Sequence, residues 1–146
     1  MAISHVTVEN VAIHRQVQTD TDSAQRAILA EVSFTVSAGG RLAVIGPSGS
    51  GKTSLLRLLN RLDEPAAGCI LLNGQDLRDI DPQALRRRVG MLFQHPFLFD
   101  GTLYDNLVYP LSLRRQSLQR EEAVALLAEV GLSEEMLMRK SDQLSI

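Results

Sequence analysis

A chain of 146 residues with 45% hydrophobic and 22% charged side chains is long enough to bury one core and too apolar to be read as disordered. A net charge of −2 argues against a dedicated nucleic-acid binder, because affinity for a phosphate backbone normally needs a basic face. Cys69 stands alone, so an internal disulfide and a cysteine metal cluster are excluded; no apolar run approaches a membrane span and MAISHVTVEN lacks a signal peptide's regions, which predicts a cytosolic chain.

In chain order, Val6, Val8 and Val11 alternate with Thr7 and Glu9 in the manner of a half-buried strand. Residues 15–26 are polar, with QVQTDTDSAQ at their centre, and predict a loop. Alternation returns over residues 28–37 through Val32, Phe34 and Val36, and Ala38-Gly39-Gly40 turns the chain into residues 41–46, RLAVIG, a short apolar run that predicts a buried strand. Beyond a glycine-rich stretch, Leu55, Leu56, Leu58, Leu59 and Leu62 recur at helical spacing, with Arg57 and Arg61 on the other face. Residues 63–68 break that pattern, CILLNG predicts another strand, and Asn73-Gly74 marks a turn. Cys69 is expected as a small core residue beside Ile70, Leu71 and Leu72.

Asp81 is placed to cap a helix that starts at Pro82 and runs through Arg88. The arginines 86, 87 and 88 are expected as a solvated helix end favoured by the helix dipole rather than as a ligand contact. Residues 89–94, VGMLFQ, predict a further buried strand. From Thr102 onward the chain reads as helical, with Ala123, Leu126, Leu127 and Val130 at core spacing and Gly131 closing the helix.

The stretch that names a ligand is Gly46-Pro47-Ser48-Gly49-Ser50-Gly51-Lys52-Thr53, followed by Ser54. Its spacing G-x-x-x-x-G-K-[ST] is that of a phosphate-cradling P-loop. Glycines at 46, 49 and 51 let the backbone curl tightly and approach an anion, successive N–H groups form a nest, and the helix beginning near Gly51 adds its positive dipole end. Lys52 then offers a point charge to the β and γ phosphates, and Thr53 a hydroxyl to magnesium. Strand, glycine loop and helix follow in the order that a P-loop requires. The expected ligand is a nucleoside triphosphate with Mg2+.

The order of elements goes further. Antiparallel strands, then GPSGSGKTSLLRLLNRLDEP, then GCILLNGQDL, then VGMLFQHPFLFDGTLYDNL resemble the ATP-binding domain of ABC transporters over nearly the whole chain. The resemblance implies an α/β fold: an incomplete P-loop NTPase core of the ABC-type ATPase, with an N-terminal antiparallel β-subdomain and the start of a helical subdomain. It divides the chain into residues 1–94, β-subdomain and P-loop core, and residues 95–146, Q-loop and partial helical subdomain. Gln94 looks like the glutamine of the Q-loop, which implies a catalytic role near magnesium and the attacking water. The loop behind it, residues 95–100, would feel a transmembrane permease subunit. The nucleotide would be ATP, the complete protein would work as a dimer of ATP-binding subunits, and its place would be the inner face of the cell membrane. Five of the six aromatics, Phe93, Phe97, Phe99, Tyr104 and Tyr109, fall around and after Gln94. For Phe97 and Phe99 docking and packing stay open as roles; Tyr104 and Tyr109 are expected to pack.

Two departures qualify the resemblance. The family stacks adenine on an aromatic at the end of the first strand, whereas this region holds His14 and Arg15, planar groups that could stack on a base or stand as surface residues. Leu144-Ser145 resemble the start of the Leu-Ser-Gly-Gly-Gln signature, but Ile146 replaces the first glycine. The acidic pair that follows an apolar strand and the switch histidine have no counterpart in the sequence, so these 146 residues are expected to bind nucleotide without turning it over, and to expose strand edges and be marginally stable alone. A non-hydrolysing binding module and a part of a non-transport ABC-type ATPase remain the alternative readings.

Overall fold

The computed structural model describes residues 5–19 and 22–144. Its chain forms two compact units, Met1–Met91 and Leu92–Ile146. In the first unit, β1 (Val6–Thr19) and β2 (Asp22–Val36) pair antiparallel, and β1 also pairs with β3 (Ala67–Leu72), which pairs with the two-residue β4 (Gln75–Asp76). The sheet order is β2-β1-β3-β4.

The expected loop over residues 15–26 is instead strand, with the ladder running from Arg15 opposite Arg26 to Thr19 opposite Asp22. A ladder is made by backbone groups, so polar residues can extend it without an apolar pattern, here in a register shifted from that of Val6 opposite Val36. Asp20 and Thr21 lie outside the described residues.

Strict alternation would put Val8 and Val11 on opposite faces, yet both are buried, because the β1–β2 and β1–β3 registers slip between them. Asn10 takes φ of 48° in the slip, and its N–H donates to Ser33 Oγ at 2.8 Å. On the facing strand only glycine fits at 68: φ is +81°, and a Cβ there would lie 2.3 Å from the Glu9 carbonyl oxygen. The core of the unit is Val8, Val11, Leu58, Ile70, Leu72, Leu77, Ile80 and Leu85. Cys69 departs from expectation. It sits on the half-buried side of β3, opposite Glu9, and points its Sγ at Glu9 Oε2, while Ile70 and Leu72 take the core.

Between β2 and β3 runs α1 (Lys52–Leu58), shorter than the leucine spacing suggests. Arg61 takes φ of 53° and closes the helical turn, with its N–H on Leu58 and the Leu62 N–H on Arg57. Leu55 and Leu58 are buried and Leu56 is exposed. α2 (Pro82–Arg88) has the cap expected of it, Asp81 accepting from the Ala84 N–H at 2.8 Å. Arg86 is more than a solvated end: its guanidinium donates to the carbonyls of Asn60 at 3.2 Å and Arg61 at 2.6 Å.

The runs 41–46 and 89–94 are not strands. Leu42 is 51% exposed, Ile45 90% and Leu92 92%. A parallel-sheet strand is stabilised by neighbours on both edges and layers on both faces, and among the described residues no strand pairs with either run.

The second unit holds α3 (Leu103–Ser112) and α4 (Arg120–Glu129) with short 3-10 turns at Glu134–Met138 and Ser141–Gln143. Thr102 and Asp105 cap α3 reciprocally. Gly131 closes α4 as foreseen, its N–H on Ala128 and the Leu132 N–H on Leu127. Ala123, Leu127 and Leu137 form the core, with Leu103, Tyr104, Leu107 and Leu118 packed on it. Leu126 and Val130, expected inside, are exposed, because Ala123 and Leu127 already fill the one stripe of α4 that meets other elements.

Candidate functional site

Gly46, Gly49 and Gly51 take φ values of 152°, 80° and 88°, so the chain curls as an anion nest requires. Gly51 also stands at the N-cap of α1 with no side chain capping the helix. A Cβ on Gly51 would come 2.7 Å from Leu29 Cδ2 and 3.2 Å from the Ile28 carbonyl oxygen, so β2 itself holds the loop's last turn close. Residues 46–50 and Thr53 are exposed, Gly51, Lys52 and Ser54 half-buried, and the octapeptide carries no acidic side chain.

Lys52 closes the loop on itself. Its Nζ donates to the carbonyl oxygens of Gly46 at 2.9 Å and Pro47 at 2.7 Å. Ser50 Oγ, at 3.5 Å, is too far to hold the third N–H firmly. The ammonium therefore ties the first residues of the loop to the start of α1 and keeps one donor for an anion inside the ring. The Ser50 N–H is turned to the Pro47 carbonyl at 3.3 Å, while the backbone curl, the uncapped helix start, the cation and the Thr53 hydroxyl are suited to a chain of phosphates.

The far end of α1 is pinned as firmly as the near one. Arg61 Nη1 donates to the carbonyls of Leu77 at 3.1 Å, Arg78 at 3.3 Å and Ile80 at 2.9 Å, and its Nε donates to Glu64 Oε1 at 3.0 Å. Arg57 Nε donates to Asp63 Oδ2 at 2.7 Å, and that hydrogen bond raises the Arg57 pKa above its ordinary value. The leucine spacing gives no hint of the Arg61 clasp, because its partners are backbone carbonyls in the Leu77–Asp79 turn and just after it. Leu42 and Val44 line an apolar groove of 250 Å³ with Val6, Phe34, Leu55 and Leu59.

Residues 46–54 are thus brought together within the first unit. Gln94 belongs to the second, exposed in the irregular segment before α3. In that unit Phe97 is 79% exposed and meets Phe99 edge-on at 5.4 Å, and Phe99 packs on Tyr109 at 4.5 Å. Tyr104 packs as expected, its hydroxyl donating to the Leu118 carbonyl at 2.7 Å; Tyr109 packs on Phe99 while remaining 43% exposed. Thr102 with Asp105 three residues on is a capping signal legible in the sequence. The Thr102 hydroxyl, donating to the Asp105 carboxylate, holds that carboxyl below its ordinary pKa. His14 is exposed on β1, opposite Ala27. Leu144 follows the Ser141–Gln143 turn, and Ser145 and Ile146 lie outside the described residues.

The profile of the ABC transporter family matches residues 29–146. The chain belongs to the ABC transporter family. Among curated proteins, Protein STAR1 of Oryza sativa subsp. japonica is 48% identical over 119 residues, 82% of this chain and 34% of that protein. Among solved structures, a bacterial Atm1-family ABC exporter with ATP bound superposes with a TM-score of 0.77 at 31% identity, over 96% of this chain and 24% of the exporter. An ATP-binding cassette, seen as a dimer in a post-hydrolysis state with ADP and Pi, gives 0.79 at 27% identity, over 96% of this chain and 63% of that one. The chain spans about a third of the curated relative's length. These likenesses make the fold that of the ABC-type P-loop NTPase, with an incomplete α/β core, and make this chain an ATP-binding part of an ABC transporter. Among the described residues no helix is long and apolar enough to cross a membrane.

Proposed function

We propose that this chain binds Mg-ATP through residues 46–54 and that the protein to which it belongs couples ATP hydrolysis to transport. The observation that carries the reading is the Lys52 ammonium, bound to the Gly46 and Pro47 carbonyls and so held at the mouth of a glycine curl. In this reading the backbone N–H groups of Gly49, Gly51 and Lys52 and the uncapped start of α1 hold the β and γ phosphates. Lys52 gives its remaining N–H to them, Thr53 offers Oγ to the magnesium ion, and Gln94 approaches the same ion. When bound, Mg2+ supplies charge neutralisation at the phosphate oxygens. Pro47 and Ser48 shape the first turn, and Ser54 leads into the buried Leu55.

The relatives' own states support the ligand: one neighbour holds ATP, another ADP and Pi. Residues 1–94 act as the β-subdomain and P-loop core and residues 95–146 as the Q-loop and partial helical subdomain. The loop 95–100 docks on a transmembrane permease subunit at the inner face of the membrane, and the exposed Phe97 and Phe99 rings suit them as its contacts. ATP-binding subunits pair as a dimer, as the post-hydrolysis neighbour does. Turnover is assigned to that assembly and not to the 146 residues alone.

Titration of the chain with labelled ATP and Mg2+ tests the site. Lys52→Ala should weaken binding by at least about tenfold, the scale of a lost charge-assisted hydrogen bond. Equal affinity in wild type and variant would remove the site, and ATP turnover by the wild-type chain that vanishes in Lys52→Ala would refute the assignment of hydrolysis to the assembly. The docking surface has its own test: a benzophenone side chain at position 97 should cross-link the permease subunit in membranes, and labelling at position 97 no greater than at position 129 counts against it.

A further inference from the structure

The aromatic patch of the second unit stands on an irregular segment, residues 92–102, and such segments are ordinarily mobile. Here one side chain pins it. Asn106 Oδ1 accepts from the Phe99 N–H at 2.8 Å, while its Nδ2 donates to the Phe99 carbonyl at 3.0 Å and to the Thr102 carbonyl at 2.9 Å. The amide thereby replaces a neighbouring strand for Phe99: it supplies one acceptor and one donor to the same residue, as a ladder partner would.

The rest of the segment is fastened around that clamp. The Leu103 N–H donates to the Arg139 carbonyl and the Ser141 N–H to the Gly101 carbonyl, each at 2.9 Å, and Thr102 bridges Lys140. Asn106 and Tyr109 are three apart on α3, so they share a face. The Phe99 backbone held by Asn106 therefore places its ring in contact with both Tyr109 and Phe97.

We infer that Asn106 is a positioning residue: it fixes Phe97, Phe99 and Tyr109 as one preorganised aromatic patch for docking on the permease subunit. The inference rests on the docking reading proposed above for residues 95–100. Preorganisation lowers the ordering cost of an interface, so loss of the clamp weakens docking without touching the contact rings.

Residue-resolved amide hydrogen exchange and aromatic NMR on the full chain test it, and neither needs the permease. In Asn106→Leu the Phe99 amide should exchange at least about tenfold faster, the scale of a lost local hydrogen bond. The ring resonances of Phe97 and Tyr109 should move toward free-side-chain values, while Ala123 and Leu127, in the core of this unit, keep wild-type exchange. Asn106→Asp, which retains an acceptor but sets a carboxylate oxygen against the Phe99 and Thr102 carbonyls, should release the rings in the same way. Unchanged Phe99 exchange in Asn106→Leu overturns the assignment, and so does core exchange that rises together with Phe99, since Asn106 would then be a general stability residue. Cross-linking from position 97 is then compared between wild type and Asn106→Leu: a severalfold loss supports positioning, and equal yield rejects it. Cross-linking absent from wild type as well, with the exchange result as expected, would remove the docking reading and leave the clamp in place.

Discussion

Residues 42–45 and 69–72 read LAVI and CILL, nearly the same apolar make-up within one unit. In the second run Ile70 and Leu72 are 3% and 2% exposed; in the first Leu42 is 51% and Ile45 90% exposed. What separates them is company. β3 has β1 on one edge and β4 on the other, with the Asn73-Gly74 turn delivering β4 at once. Residues 42–45 have no strand on either edge among the described residues, so the same kind of sequence stays irregular. An apolar run states a capacity to be a strand; the partner decides whether it becomes one.

Four substitutions sharpen or break that contrast. Leu58→Ala removes a side chain that is 1% exposed beneath β3 and should lower stability by about 2–5 kcal/mol, read by chemical denaturation. A loss close to zero would show that the sheet side of the comparison is no better packed than the open side. Gly68→Ala should cost about 1–3 kcal/mol, because the new Cβ meets the Glu9 carbonyl and φ is +81°; a neutral result would mean that the β1–β3 register can shift. Asp81→Ala removes the α2 cap and should cost about 1 kcal/mol. Ile45→Thr, on the unpaired run, should change stability by less than about 0.5 kcal/mol while reducing self-association seen by light scattering. Marked destabilisation by Ile45→Thr would mean that residues 42–45 are packed after all.

Acid supplies the smallest effect, and in the second unit it acts at Asp105. The Asp105 carboxyl lies below its ordinary pKa because it accepts from the Thr102 hydroxyl and N–H. A depressed folded-state pKa gives stability that is present above the unfolded carboxylate value and lost as pH falls through the lowered one. The start of α3 should therefore loosen only below the usual carboxylate range, and Thr102→Val should move that loosening to higher pH, followed by the Asp105 resonances.

Local chemistry was legible wherever its partners lie close in sequence. The Gly46 to Thr53 spacing, the Asp81 cap, the Asn73-Gly74 turn and the Gly131 helix stop all follow from short motifs. The ladder from Arg15 to Thr19 was not legible, since its polar residues carry no alternating signal and its register differs from that of Val6 opposite Val36, after shifts between Val8 and His14. Nor were the clasps of Arg61 and Arg86 on main-chain carbonyls, or that of Asn106 on the Phe99 and Thr102 main chain, since such partners leave no trace in residue identity. Cys69, a small residue beside Ile70, Leu71 and Leu72, reads as core, but the alternation that gives Ile70 and Leu72 to the core sends it to the other face.

Because Lys52 fastens its own loop, it is structural hardware as well as a charge. An arginine there would keep the charge and lose the fit, since a planar fork does not reach the Gly46 and Pro47 carbonyls as a compact ammonium does. A neutral residue loses charge and fastening together. Variants at this position thus change the loop's shape along with its affinity, and a weak-binding Lys52→Arg chain would report a broken clasp and not a missing cation.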